Sequence, residues 1–340
     1  MMQKDFWRKS TVAVIGGGSW GTVLAKLASE NAQEVRVWVR DETQARAMNS
    51  TKSNPDYVQN LVLPDHVRTF TDINRVFENR VQVVIWALPA KACREQAKLL
   101  AKHFRGDEVI LHATKGIEEG TMKRISVILA EELPCSRIGV ISGPNLASEI
   151  ANNEPAATVI ASHFKEVIDA GTTILGTKRF RIYSGEDVTG IEWAGTLKNI
   201  YAIASGALDE LQFGWNTRAL LMTRGLAEMV RFGVAMGADP DTFLGLAGVG
   251  DLFATCSSPL SRNYRVGRLL AQNKKLDQIL DELGAVAEGV RTTQIISAFA
   301  QERGIDMPIT QGVAELIRGH RPAQEVLLQL MQRPLSSDGV

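Results

Sequence analysis

Residues 12–21 read Val-Ala-Val-Ile-Gly-Gly-Gly-Ser-Trp-Gly, and the order of residue types in this stretch decides the fold. The β-branched and small apolar run Val12 to Ile15 leads straight into Gly16-x-Gly18-x-x-Gly21. Thr22 to Ser29 follow with the small and apolar spacing of a closely packed helix. The pattern is strand, tight turn, helix. Each glycine has a separate physical reason: Gly16 permits the turn, Gly18 leaves the backbone bare to a pyrophosphate, and Gly21 lets helix and strand pack closely. Backbone N–H groups at the helix start then face the phosphates, with the positive end of the helix dipole behind them. A lone glycine triplet is a common pattern. Placed after the first strand of the chain, it predicts a dinucleotide site.

Outward from this stretch, Glu34 to Val39 alternates as a second strand and ends at Arg40-Asp41. An acidic residue at that strand end accepts the ribose hydroxyls of NAD, whereas an arginine meets the 2′-phosphate of NADP. Arg40 therefore favours NADPH/NADP, and Asp41 keeps NADH/NAD open. Residues 49–64 are polar with two prolines and read as a loop or short excursion. Val81 to Leu88, Glu108 to Ala113 and Arg137 to Ile141 are continuous apolar runs of buried parallel strands, separated by helical patterns at Lys91 to His103 and Thr121 to Leu133. The alternation predicts an α/β, Rossmann-like, mostly parallel doubly wound sheet. Ligands of such sheets bind beyond the carboxyl ends of the strands, where the glycine loop, Arg40, Pro89, Lys115 and Gly143 all fall. Ala157 to Ala161 and Phe180 to Tyr183 close this part.

From Asp187 onward the apolar period becomes helical, with Trp193, Leu197, Ile200, Ala204 and Leu208 forming the first stripe. Further helical patterns cover Arg218 to Met236, Tyr264 to Gln272, Leu276 to Leu283, Arg291 to Arg303, Gln311 to Arg318 and Ala323 to Gln332. The expected organisation is a dinucleotide-binding domain at 1–187, an all-helical substrate and catalytic domain at 188–333, and a tail at 334–340.

Composition narrows the function classes. Lys plus Arg and Asp plus Glu are 38 each, so no basic excess exists to hold nucleic acid or an anionic membrane, and a small-molecule partner is favoured. The three cysteines lack disulfide or metal spacing, and the five histidines lack ligand spacing or an acidic triad companion. No metal is expected. The absence of an apolar leader or a membrane-length apolar run predicts a cytoplasmic protein.

Lys198 is the most informative charge of the helical part. Its neighbours three and four positions away are Ala194, Gly195, Tyr201 and Ala202, with no acidic partner at those spacings. A lysine desolvated in this way exchanges a proton near neutrality, while one that snorkels to water does not. Gly248-Val-Gly-Asp251 reads as a glycine-rich turn presenting a carboxylate. Ser261-Arg262-Asn263 opens a helix, either as a phosphate cradle or as a plain cap.

The blocks Gly16-Gly-Gly-Ser-Trp-Gly21, His112-Ala-Thr-Lys-Gly116, Ser142-Gly-Pro-Asn145, Gly195-Thr-Leu-Lys-Asn199, Gly248-Val-Gly-Asp251, Ser261-Arg-Asn263 and Ala287-Glu-Gly-Val-Arg-Thr292 occur in that order. Together they resemble the bacterial type of NAD(P)-dependent glycerol-3-phosphate dehydrogenase, from Gly16 to about Arg318. The resemblance implies interconversion of dihydroxyacetone phosphate and sn-glycerol 3-phosphate, supply of glycerol 3-phosphate to phospholipids, and a homodimer. It implies Lys198 as proton donor and acceptor at the C2 oxygen. It places Lys115, Gly143, Asn145, Asp251, Ser261, Arg262 and Asn263 on the substrate. Ser19, Trp20, Arg40, Lys115, Ala147, Arg262, Val286 and Glu288 join the glycines on the dinucleotide. Asn145 departs from the family's usual serine, so an amide replaces a hydroxyl there. A 3-hydroxyacid or 6-phosphogluconate-type dehydrogenase would share the layout, but is not expected to combine Ser261-Arg-Asn263 with Gly248-Val-Gly-Asp251. A non-catalytic dinucleotide sensor would need only the first domain.

Overall fold

Val12 and Val14 join one apolar cluster and Ala13 and Ile15 the other, all four fully buried, so β1 (Thr11–Ile15) has no polar face. A central strand covered on both sides requires this. The computed structural model describes residues 2–58, 60–283 and 287–333. The chain divides into two compact units, Met1–Val188 and Thr189–Val340.

The first unit is built on β1, β2 (Glu34–Trp38), β3 (Val67–Phe70), β4 (Val83–Trp86), β5 (Val109–His112), β6 (Ile138–Ser142), β7 (Ala156–Ala161) and β8 (Phe180–Gly185). They form one eight-stranded sheet in the order β3-β2-β1-β4-β5-β6-β7-β8. Every pair is parallel except β6 with β7, where Ser142 lies opposite Val159. The doubly wound, mostly parallel sheet is therefore present. Strand order reverses between β1 and β4, the switch point outside which such sheets bind ligands.

Several local readings are corrected. Residues 2–8 form a helix before β1, held down by a buried Trp7, which the sequence analysis does not anticipate. The polar stretch at 49–64 is not all loop, because the helix Glu42–Thr51 extends into it with Ala45 and Met48 buried. The edge strand β3 carries only four residues, too short a run for alternation to register. The helix Lys165–Leu175, which buries Val167, Ala170, Ile174 and Leu175, has no counterpart among the sequence expectations.

The second unit is helical among the described residues. Its central helix, Val188–Glu210, corrects the reading of a one-sided stripe: residues 190–203 are all buried. A helix enclosed on every side can carry a polar group only where another element supplies its partner. Among the described residues no helix is long and apolar enough to cross a membrane.

Candidate active site

In the first unit the loop after β1 is shaped by what its glycines lack. Gly16 has φ +114°, in the left-handed region, and a Cβ there would lie 2.7 Å from the Ala87 carbonyl oxygen. A Cβ on Gly21 would lie 2.0 Å from the Gly16 carbonyl oxygen, so the helix Ser19–Ser29 can sit against the loop only without a side chain. Gly18 faces open space, with nothing within 4 Å of a Cβ position. Tight turn, close packing and bare approach thus fall on Gly16, Gly21 and Gly18 in the way a pyrophosphate needs, and the cradle fits a dinucleotide.

Side chains from beyond β2 brace this loop. Asn54, 1% exposed, donates to the Gly17 carbonyl at 2.8 Å and to Thr22 Oγ1 at 2.7 Å, and Gln44 Nε2 donates to the same carbonyl at 2.6 Å. Neither residue stood out in the sequence, since an asparagine in a polar stretch carries no local signal of burial. Ser19 Oγ donates to the Tyr57 carbonyl at 3.1 Å, and Trp20 lies edge-on to Phe180. Arg40 is exposed just past β2. Asp41 caps the next helix, its carboxylate accepting from the Gln44 N–H at 2.7 Å.

The ends of β5 and β6 meet. Lys115 Nζ donates to the Gly143 carbonyl at 3.4 Å, and Asn145 Nδ2 donates to Thr158 Oγ1 at 2.8 Å. Ala147 opens the short helix Ala147–Ala151.

In the second unit Lys198 is 5% exposed and its ammonium is held from the helix Asp251–Ser257. Nζ donates to Asp251 Oδ1 and, at 2.6 Å, to Thr255 Oγ1, and the Thr255 hydroxyl in turn donates to Asp251 Oδ1 at 3.3 Å. Asp251 and Thr255 share one face at helical i,i+4 spacing. The turn expected at Gly248–Asp251 is a π-helical turn, Leu246–Gly250, that delivers Asp251 as the first residue of this helix. A buried ammonium is tolerable only with such a counter-charge and hydrogen bonds. The sequence reading set the behaviour of Lys198 by desolvation alone and missed this partner, because it lies 53 residues away. Burial pushes the neighbouring Cys256 thiol up to about 12, which leaves it un-ionised beside the cluster.

Ser261 caps the helix Arg262–Ala271, its hydroxyl accepting from the Tyr264 N–H at 3.3 Å. Arg262 is exposed at the first helical position. Asn263 Nδ2 donates to Asn199 Oδ1 at 2.9 Å, and Asn263 Oδ1 accepts from the Gly289 N–H at 3.1 Å. A Cβ on Gly289 would strike the Asn263 side chain at 2.6 Å. Asn199 and Thr255 are polar members of these clusters that the sequence reading did not select. Asn199 had a signal, its adjacency to Lys198; Thr255 had none, since the helix that aims it was unread. Glu288 begins the helix Glu288–Arg303, and Val286 lies outside the described residues.

Residues 11–168 match the family model described as NAD-dependent glycerol-3-phosphate dehydrogenase N-terminus, and residues 187–328 the corresponding C-terminus. A glycerol-3-phosphate dehydrogenase [NAD(P)+] of Pseudomonas fluorescens is 44% identical over 327 residues, covering 96% of this chain and 92% of its own. The protein of the same name in Leuconostoc mesenteroides is 42% identical over 333 residues, covering 96% and 99%. The crystal structure of glycerol-3-phosphate dehydrogenase from Coxiella burnetii superimposes with a TM-score of 0.91 at 33% identity, over 96% of this chain and 100% of that one.

Proposed function

Because this chain belongs to the NAD(P)-dependent glycerol-3-phosphate dehydrogenase family, we propose that it interconverts dihydroxyacetone phosphate and sn-glycerol 3-phosphate, with NADPH preferred over NADH. The observation that carries the residue assignment is the buried Lys198, held on Asp251 and Thr255. The nicotinamide, when bound, supplies or accepts the hydride at C2. As the ketone is reduced, negative charge grows on the C2 oxygen, and Lys198 stabilises it and delivers the proton to that oxygen. In the oxidative direction Lys198 takes the proton back. Asp251 and Thr255 hold Nζ in one orientation, which supplies the positioning such a transfer needs.

Lys115, Gly143 and Asn145 serve the substrate from the first unit. Arg262 and Asn263 take the phosphate together with the backbone N–H groups that open the helix Arg262–Ala271. Ser261 accepts the cap bond at its hydroxyl and keeps its O–H proton to donate to the phosphate. The glycine loop takes the pyrophosphate, with Ser19, Trp20, Ala147, Lys115, Arg262, Val286 and Glu288 on the remainder of the dinucleotide. Arg40 supports NADPH, since it is exposed at the selector position just past β2. On the same reading the enzyme is a cytoplasmic homodimer supplying the glycerol backbone of phospholipids.

The test is loss of reduced-nicotinamide absorbance with dihydroxyacetone phosphate as the only added substrate, run in parallel with NADPH and NADH. Turnover faster with NADPH is expected. A folded, cofactor-saturated sample that leaves the absorbance unchanged overturns the reading.

A further inference from the structure

Gly16, Gly17 and Gly18 are three successive residues without a side chain, so the peptide planes between them turn more freely than others in the loop. Gly17 is not one of the spaced glycines of the pattern; a Cβ there would lie 2.3 Å from Val39 Cγ1. What holds the Gly17–Gly18 peptide must come from other elements, and it comes from two carboxamides. Gln44 Nε2 and Asn54 Nδ2 both donate to the Gly17 carbonyl oxygen, at 2.6 and 2.8 Å. The count of protons closes around them. The second Asn54 N–H goes to Thr22 Oγ1 at 2.7 Å, Thr22 donates its own proton to the Gly18 carbonyl at 2.9 Å, and the second Gln44 N–H goes to Asn54 Oδ1 at 3.4 Å. A carbonyl only accepts, so each amide turns its NH2 group to Gly17, and reversing either would set two oxygens against each other. The Asn54 carbonyl is fixed as well, accepting from the Tyr57 and Val58 N–H groups at 3.0 and 2.7 Å.

Resting on the dinucleotide site proposed above, we infer that Asn54 and Gln44 are positioning residues for the cofactor: they lock the Gly17–Gly18 peptide with its carbonyl turned into the protein, which aims the Gly18 N–H at the pyrophosphate. The C=O and N–H of a planar trans peptide point to opposite sides, so fixing one fixes the other. Were this plane to turn over, a carbonyl oxygen would face the pyrophosphate, and repulsion would replace a charge-assisted hydrogen bond. Neither amide needs to touch the cofactor, since each acts through the peptide it holds.

The probes are NADPH, NADH and adenosine 2′-phosphate, which carries the adenine and the 2′-phosphate but no pyrophosphate. Each is titrated against the whole chain, by fluorescence for the dinucleotides and by ligand-observed NMR for the nucleotide. Asn54→Ala should raise the Kd for NADPH and NADH alike by about 10- to 100-fold, and that for adenosine 2′-phosphate by less than about 2-fold. Asn54→Asp, whose carboxylate can only accept, should bind the dinucleotides more weakly still. Gln44→Met, at a half-buried position that tolerates the change, should show the same pattern at about 3- to 10-fold, and it decides the matter if the Asn54 variants do not fold. A merely structural role would weaken all three ligands together, because a collapsed loop spares no part of the site. Variants that bind NADPH as the wild type does, or that lose adenosine 2′-phosphate in equal measure, overturn the lock while leaving the dehydrogenase reading intact. A wild-type protein that binds neither dinucleotide overturns both.

Discussion

The glycine loop of the first unit and the Lys198 cluster of the second are each shaped around positive charge, but from different material. The loop is backbone. Its shape comes from a positive φ at Gly16 and from a Cβ that Gly21 does not have, and its polarity comes from N–H groups at the start of a helix. The cluster is side chain. An ammonium, a carboxylate and a hydroxyl from two helices are buried together, and each satisfies the others. Under the proposed roles, steric damage to the first is expected in cofactor binding, whereas damage to the second is expected in turnover.

The largest expected effect is at Lys198. Lys198→Met should lower kcat by about 10²–10⁴-fold while the Kd for NADPH, read by fluorescence titration, stays as in the wild type. A matched loss of NADPH affinity would break the division of labour. Gly21→Ala sharpens it from the other side. The added Cβ meets the backbone carbonyl of Gly16 and cannot be relieved by a rotamer, so the Kd for NADPH should rise about 10- to 100-fold. The kcat extrapolated to saturating cofactor should change far less. Thr255→Val removes one of the bonds that orient Nζ, and kcat should fall about 10-fold, with an altered pH profile. An unchanged profile would show that Thr255 does not set the orientation of Lys198. Arg40→Ala should raise KM for NADPH about 10-fold and hardly move that for NADH. Equal changes would remove Arg40 as the reader of the 2′-phosphate.

The smallest effect separates charges held for chemistry from charges held for stability. Arg94 donates to Glu118 through Nε at 2.5 Å and Nη2 at 2.9 Å, and also engages Glu131 and Glu132. The guanidinium bonds hold the Glu118 carboxyl down at about 2, against an ordinary 4.5. A carboxyl depressed on folding stabilises the native state above its unfolded pKa, and that contribution is lost as pH falls from about 4.5 to about 2. The side chains are partly exposed, so solvent screening limits the contribution to about 1 kcal/mol. Urea midpoints measured down that window should therefore fall less steeply for Arg94→Ala than for the wild type. Parallel slopes would show that Glu118 takes no part in acid sensitivity.

How legible each region was in the sequence follows from the same contrast. The loop can be read because strand, turn and helix are contiguous and each glycine acts within a few residues of its neighbours. Its braces cannot, because burial of Asn54 is decided by the sheet beneath it. Lys198 was visible as a lysine among small residues, yet Thr255 lay in a helix hidden behind a π-helical turn. Ser261 was legible as a cap or a cradle, and only the bond to the Tyr264 N–H shows that its hydroxyl is the cap.

The sequence by itself determined the dinucleotide fold and the order of the site blocks, since these rest on short-range periodicity and on glycine's missing side chain. The tertiary structure alone decided which atoms face which. It gave Lys198 its counter-charge and set the Asp41 carboxylate at a helix end. Burial makes each of these choices: away from water, a polar atom must find its partner in whatever element the fold packs against it.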